Sequence, residues 1–121
     1  MPVSSPAEVP ASAPVRLRLA ALARAAVLAT PGVVALDAGR TGIRMTASAG
    51  LRVDGVVCAA LPDGRYQLSV HLVAAMVSLR SLADAVRARV ECDVAIAGLA
   101  DRLGPVDVAV EDVQVRREAR P

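Results

Sequence analysis

Apolar positions along this chain switch between two periods, and the switches mark out its elements. From Val15 the residues Val15, Leu19, Leu22, Ala23 and Ala26 recur at helical spacing, which predicts a first helix running to about Ala29 and ended by Pro31-Gly32. At about 100° per residue, Leu17, Ala21, Ala25 and Leu28 fall on a second side of the same helix. A helix apolar on two sides has two readings. Its alanine content alone makes it look apolar all round, or Leu17 and Leu28 meet a second subunit.

The β-branched run Val33 to Asp37 predicts a first strand, followed by turn chemistry at residues 38–42. Residues 43–55 mix Gly50 and Gly55 with isolated apolar side chains, so a loop is expected there, with an edge strand at Ile43 to Thr46 as an option. Val56 to Leu61 and Tyr66 to Ala74 flank Pro62-Asp63-Gly64 and predict a β-hairpin. In the second of these strands, Tyr66, Leu68, Val70, Leu72 and Ala74 alternate with Gln67, Ser69, His71 and Val73. That alternation belongs to a sheet covered on one face only. Ser78 is an expected N-cap, with Ser81 and Asp84 as a competing capping box, for a helix carrying Leu79, Leu82, Ala83, Val86, Val90, Val94 and Ala97. This helix should end between Gly98 and Gly104. After Pro105, Val106, Val108 and Val110 alternate with Asp107, Ala109 and Glu111, giving a last strand that a right-handed crossover sets parallel to its predecessor.

The predicted fold is α+β, with two helices on one face of a three- to four-stranded mixed sheet in the order α-β-(β)-β-β-α-β. It occupies one domain, residues 15–115. The proline-rich residues 1–14 read as a disordered leader and residues 116–121 as a basic tail with Arg116, Arg117 and Arg120. A length of 121 residues suits a single core. With 55% hydrophobic residues, no Phe, no Trp and Tyr66 as the sole aromatic, that core must be built from Val, Leu, Ile and Ala. Small side chains of this kind stabilise only where backbones lie close together.

Charge narrows the function classes. The formal balance of +2, from 14 arginines against 12 acids, lacks the clustered basic face of a nucleic-acid binder. Stacking on single-stranded RNA needs aromatic residues that this sheet face does not have. There is no P-loop spacing and no lysine to complete one. Cys58 and Cys92 stand far apart without metal-type spacing, so reduced, buried or half-buried thiols are expected, and no cofactor or metal. The N-terminus lacks the form of a secretory signal, and no apolar run reaches about 18 residues, the span of a membrane helix. A cytoplasmic protein is therefore expected.

His71, the only histidine, lies on the less apolar sheet face, where Asp107 and Glu111 could join it if the last strand pairs nearby. A general base also needs a pocket and an oriented partner, so a surface histidine at a binding face is the stronger reading. Adjacent acids Glu111 and Asp112 should point to opposite faces of their strand. The candidate partner surface is then Leu17 and Leu28 on the first helix together with Gln67, Ser69, His71, Val73, Asp107 and Glu111 on the sheet.

Read in order, several segments resemble the alkaline shock protein family of bacterial envelope stress response proteins, in its actinobacterial form. They are Thr30-Pro31-Gly32-Val33 after the Ala-rich helix, Gly55-Val56-Val57, Val70-His71-Leu72-Val73-Ala74, Leu82-Ala83-Asp84-Ala85-Val86-Arg87, and the run from Gly104 to Val113. The chain departs from the family at Ala75-Met76, where Tyr-Gly is usual, and across residues 38–54. The resemblance implies a non-enzymatic protein that forms a homo-oligomer or pairs with a paralogue. It also implies a membrane-anchored protein partner that would hold it at the inner face of the cell membrane, with no small-molecule substrate. Its rivals are a small nucleic-acid-binding α+β module and a small enzyme built on His71 with Asp107 or Glu111.

Overall fold

The computed structural model describes residues 9–48 and 50–115. Helix α1 (Val15–Leu28) is followed by strand β1 (Val33–Leu36), a hairpin of β2 (Met45–Ser48) and β3 (Leu51–Asp54), strands β4 (Val56–Ala60) and β5 (Tyr66–Ala75), helix α2 (Leu79–Ile96), a 3-10 turn at Ala100–Arg102 and strand β6 (Leu103–Gln114). The α+β class and the two helices on a mixed sheet are as the periodicity predicts. Leu68, Val70, Leu72 and Ala74 of β5 are fully buried beneath the helices, and Gln67, Ser69, His71 and Val73 between them stay part-exposed. The core runs through Leu17, Leu19, Val27, Val56, Val86, Val90 and Val94, all aliphatic, as the lack of large aromatics requires.

Strand β5 is the axis of the sheet. On one side β6 pairs with it in parallel along its whole length. On the other side β4 pairs with residues 66–70 and β1 with residues 72–74, both antiparallel. The two short strands therefore lie end to end and act as one interrupted strand. At the gap His71 supplies both backbone bonds, its N–H donating to Gly55 O and its carbonyl accepting from Asp37 N, each at 2.8 Å. Gly55 adopts φ +82°, and a Cβ there would lie 2.6 Å from Leu36 Cβ, so only glycine lets the chain rejoin the sheet at this point.

Between the two halves, where the sequence predicts a loop with an optional edge strand at 43–46, the chain makes an excursion. It is a separate two-stranded sheet, Met45 to Ser48 against Leu51 to Asp54. It packs on α1 and joins no edge of the main sheet. Its one buried polar side chain, Thr46, accounts for that placement. The Thr46 hydroxyl donates to Val56 O at 2.8 Å and accepts from Cys58 N at 3.1 Å, filling the outer backbone positions of β4 where a neighbouring strand would otherwise bond.

The hairpin on one side and α2 on another explain why α1 is apolar on two sides. Leu17 and Ala21 are buried within this chain, so the expectation that Leu17 faces a second subunit is corrected. Leu28, at 40% exposed, is the only member of that expected pair left at the surface. Val9, within the leader expected over residues 1–14, is buried in the core, which corrects that expectation at this position; residues 1–8 and the basic tail lie outside the described residues.

The remaining boundaries follow local chemistry. Ser78 caps α2 by accepting from Ser81 N, in preference to the competing box at Ser81. The helix closes on Gly98 at φ +80°, with Leu99 N bonded to Val94 O and Gly98 N to Ala95 O, the paired bonds of a Schellman motif. Strand β6 begins at Leu103, earlier than expected, because Pro105 sits at a register shift in an edge strand where its missing N–H interrupts no ladder.

Candidate functional site

Every sheet residue of the expected surface sits on the face that the helices leave open. Parallel pairing sets Asp107 beside Ser69 and Ala109 beside His71, and β4 contributes Val57 and Ala59 to the same floor. Gln67 Nε2 donates to Asp107 Oδ2 at 2.5 Å across the two strands. His71 Nδ1 lies 2.8 Å from Glu111 Oε2, and the other carboxylate oxygen, Oε1, receives Arg44 NH1 at 2.8 Å. The sheet part of the candidate surface is thus one contiguous patch. Leu28 stands apart from it on α1, and Leu17 is in the core.

Arg44 is the member that periodicity could not supply. It leaves the loop after β1, held by its own N–H to Ala38 O and by its carbonyl to Gly55 N, and reaches over the sheet to the last strand. Glu111 can meet both cations because β6 carries a bulge. Leu72 pairs with Val110 and Val73 with Asp112, which leaves Glu111 as an extra residue. Alternation is broken there, so Glu111 and Asp112 share the open side, and the expectation that they point to opposite faces is overturned. The hydrogen bond from His71, the largest effect, holds the Glu111 carboxyl below its ordinary value against the opposing effect of burial, and the bond and charge of Arg44 add smaller shares to the lowering. The ionised carboxylate can only accept, so Nδ1 carries the ring proton.

A carboxylate-oriented imidazole is the back half of a general-base arrangement, but the front half is not assembled here. Ser69 lies two residues before His71 on the same strand face and makes no hydrogen bond to the ring among the described residues. The nearest depression, lined by Asp37, Gly39, Arg40, Thr41, Ile43, Arg44 and Glu111, is shallow and is not lined by His71. Among the described residues no group of three or more His, Cys, Asp or Glu side chains is placed to hold a metal ion.

The cysteines divide. Cys58 is buried on β4, and burial pushes its thiol up to about 11, so it is protonated and unreactive near neutrality. Cys92 is exposed, contrary to the expectation that both thiols are at least half-buried, because it lies away from the Val86, Val90 and Val94 stripe by which α2 packs. On the outer side of that helix Asp84 pairs with Arg87 at 3.2 Å, and Arg87 also donates to Val106 O at 3.0 Å.

No helix among the described residues is long and apolar enough to cross a membrane. In comparisons with known proteins, no family model, no curated protein and no solved structure matches the chain.

Proposed function

We propose that this protein is a non-enzymatic binding module whose open sheet face docks another protein. The single observation that carries this reading is the gathering of Gln67, Ser69, His71, Val73, Asp107 and Glu111 on one side of a sheet that the helices cover only from the other. The patch has a floor of small side chains, Val57, Ala59, Ser69 and Ala109, bordered by charge. Flat faces of that kind suit contact with a folded surface or a polypeptide segment better than enclosure of a small molecule. With the resemblance to the alkaline shock protein family, the reading becomes an envelope stress response protein on the cytoplasmic side of the membrane. There it would bind further copies of itself, a paralogue or a membrane-anchored protein.

The nucleic-acid alternative has the electrostatics of the face against it. Asp37, Asp107, Glu111 and Asp112 surround it against Arg40 and Arg44, an acidic excess that disfavours phosphate. An enzyme built on His71 has against it that, among the described residues, Ser69 makes no hydrogen bond to the ring.

The test is site-specific photo-crosslinking in the native host. A crosslinker at Ser69 or Val73 is expected to capture a defined protein, and one at Ala88 on the outer side of α2 is not. Adducts from Ala88 alone, or none from any position while the chain is present and folded, would remove the docking reading. A His71→Ala variant that binds normally while losing a measurable turnover would revive the enzyme.

A further inference from the structure

The two edges of the sheet are treated differently. At β4 the outer backbone groups are taken by Thr46, a buried hydroxyl held there by the hairpin. Among the described residues strand β6 is the longest and pairs with β5 alone, so no described strand lies beside its other edge. Arg87 covers its start by bonding Val106 O. From Asp107 to Gln114 the strand continues for about 23 Å at the usual rise per residue; along it the Asp112 carboxylate accepts from Val113 N at 2.8 Å, and residues 111–115 are exposed.

An uncovered edge of this length is a template for strand addition unless side chains oppose it. Here the side chains discriminate between occupants. Asp107, Glu111 and Asp112 lie on the open side of β6, and Arg44 neutralises only Glu111. Two β6 edges from separate copies, paired antiparallel about Ala109, would set Asp107 of one near Glu111 and Asp112 of the other, and like charges placed so are unfavourable. A strand with basic residues at alternate positions meets the opposite sign at Asp107 and again at Glu111 and Asp112, with Ala109 between them. Past the acids, Val113 and Val115 are 39% and 71% exposed and offer apolar contact at the far end.

We infer that the outer edge of β6 is a strand-addition site for an extended partner segment with Lys or Arg at alternate positions and apolar residues between them. The inference rests on the reading of the chain as a docking module and deepens it by naming the chemistry of the partner segment. Main-chain hydrogen bonds supply the attachment, and the carboxylates select the sign of charge.

The test uses the full chain and an eight-residue peptide alternating arginine and valine, with both ends blocked. Hydrogen exchange of the β6 amides between residues 107 and 114 is expected to slow on binding, with no slowing on α1. The double variant Asp107→Asn with Asp112→Asn is expected to weaken binding about tenfold. The same peptide N-methylated at every second residue, made in both phases, keeps its charge and loses main-chain donors; at least one phase is expected not to bind. Equal binding by both methylated phases, protection centred on residues 67–73 in place of β6, or no binding even at low salt would each overturn strand addition. Crosslinks from Ser69 that persist after any of these results would leave docking on the sheet face standing, which separates the two proposals.

Discussion

Among single residues Thr46 has the most unusual task, since one hydroxyl stands in for the hydrogen bonds of a missing strand. Replacing it with valine keeps the shape and removes both bonds, leaving the Val56 carbonyl and the Cys58 N–H buried without partners. Unsatisfied buried groups cost about 1–3 kcal/mol each, so Thr46→Val is expected to lower unfolding free energy by about 2–4 kcal/mol in a denaturant titration. Thr46→Ser keeps the hydroxyl and should lose much less. The thiols give a second residue-scale expectation. A maleimide added at neutral pH should label Cys92 in the folded protein and reach Cys58 only on unfolding, because burial holds Cys58 as the unreactive thiol. Rapid labelling of both in the native state would contradict the packing of β4 against α1. Of these residue roles only the burial of Cys58 is expected from the sequence. A lone threonine in an irregular stretch has the same appearance whether it faces water or closes a sheet edge, and the periodicity of α2 does not by itself decide the exposure of Cys92.

At the scale of elements, the legible parts are those where many residues vote for one period. Both helices and the β4–β5 hairpin fall where the spacing of apolar residues sets them, because α1, α2 and β5 each repeat their pattern over several turns or alternations. The excursion between β1 and β4 is illegible for the opposite reason: its strands have four residues each, and the deciding buried position is polar. Its return point depends on Gly55. A methyl group there would meet Leu36 Cβ and crowd Asp37 N in a backbone conformation that side chains disfavour. Gly55→Ala is expected to cost about 3–5 kcal/mol, and amide exchange should speed up first in β1, whose junction with β4 would open. The bulge in β6 was equally hidden, since strict alternation separates Glu111 from Asp112. Its consequence can be measured through pH. The folded protein holds Glu111 below the ordinary carboxylate value of 4.5, so the stability gained from its ionised form is present above that value. It is lost as pH falls through the lower folded value. Wild type should therefore exceed Glu111→Gln in stability at pH 7, and the difference should shrink below about pH 4.5. A gap that stays constant down to strongly acid conditions would mean that the bonds to His71 and Arg44 do not depend on the charge of Glu111.

Over the whole molecule, charge and burial divide along the layers. Helix α1 carries Arg16, Arg18 and Arg24 with no acid, whereas acids gather around the open face, so a formal net charge of +2 conceals two surfaces of opposite sign. The same layering decides what the apolar side of α1 is for. With α2, the sheet and the β2–β3 hairpin around it, α1 is a central helix, and its alanines let all three neighbours approach closely. Its two-sided pattern is then a requirement of the monomer, and a subunit interface is not needed to explain it. The alternatives differ in a quantity that can be measured. If Leu17 is buried within one chain, Leu17→Ala leaves a cavity and lowers the unfolding free energy by about 2–5 kcal/mol, by the same amount at every protein concentration. If Leu17 met a second copy, the loss would grow as the protein is diluted and the native oligomer would weaken, because association stabilises by mass action. Denaturant titrations of wild type and Leu17→Ala over a hundredfold range of concentration, run beside Leu28→Ala as the exposed control, separate the two. Parallel shifts for Leu17→Ala, with little change for Leu28→Ala, are the expected result. That outcome would leave the open sheet face and the free edge of β6 as the surfaces through which the molecule meets its partners.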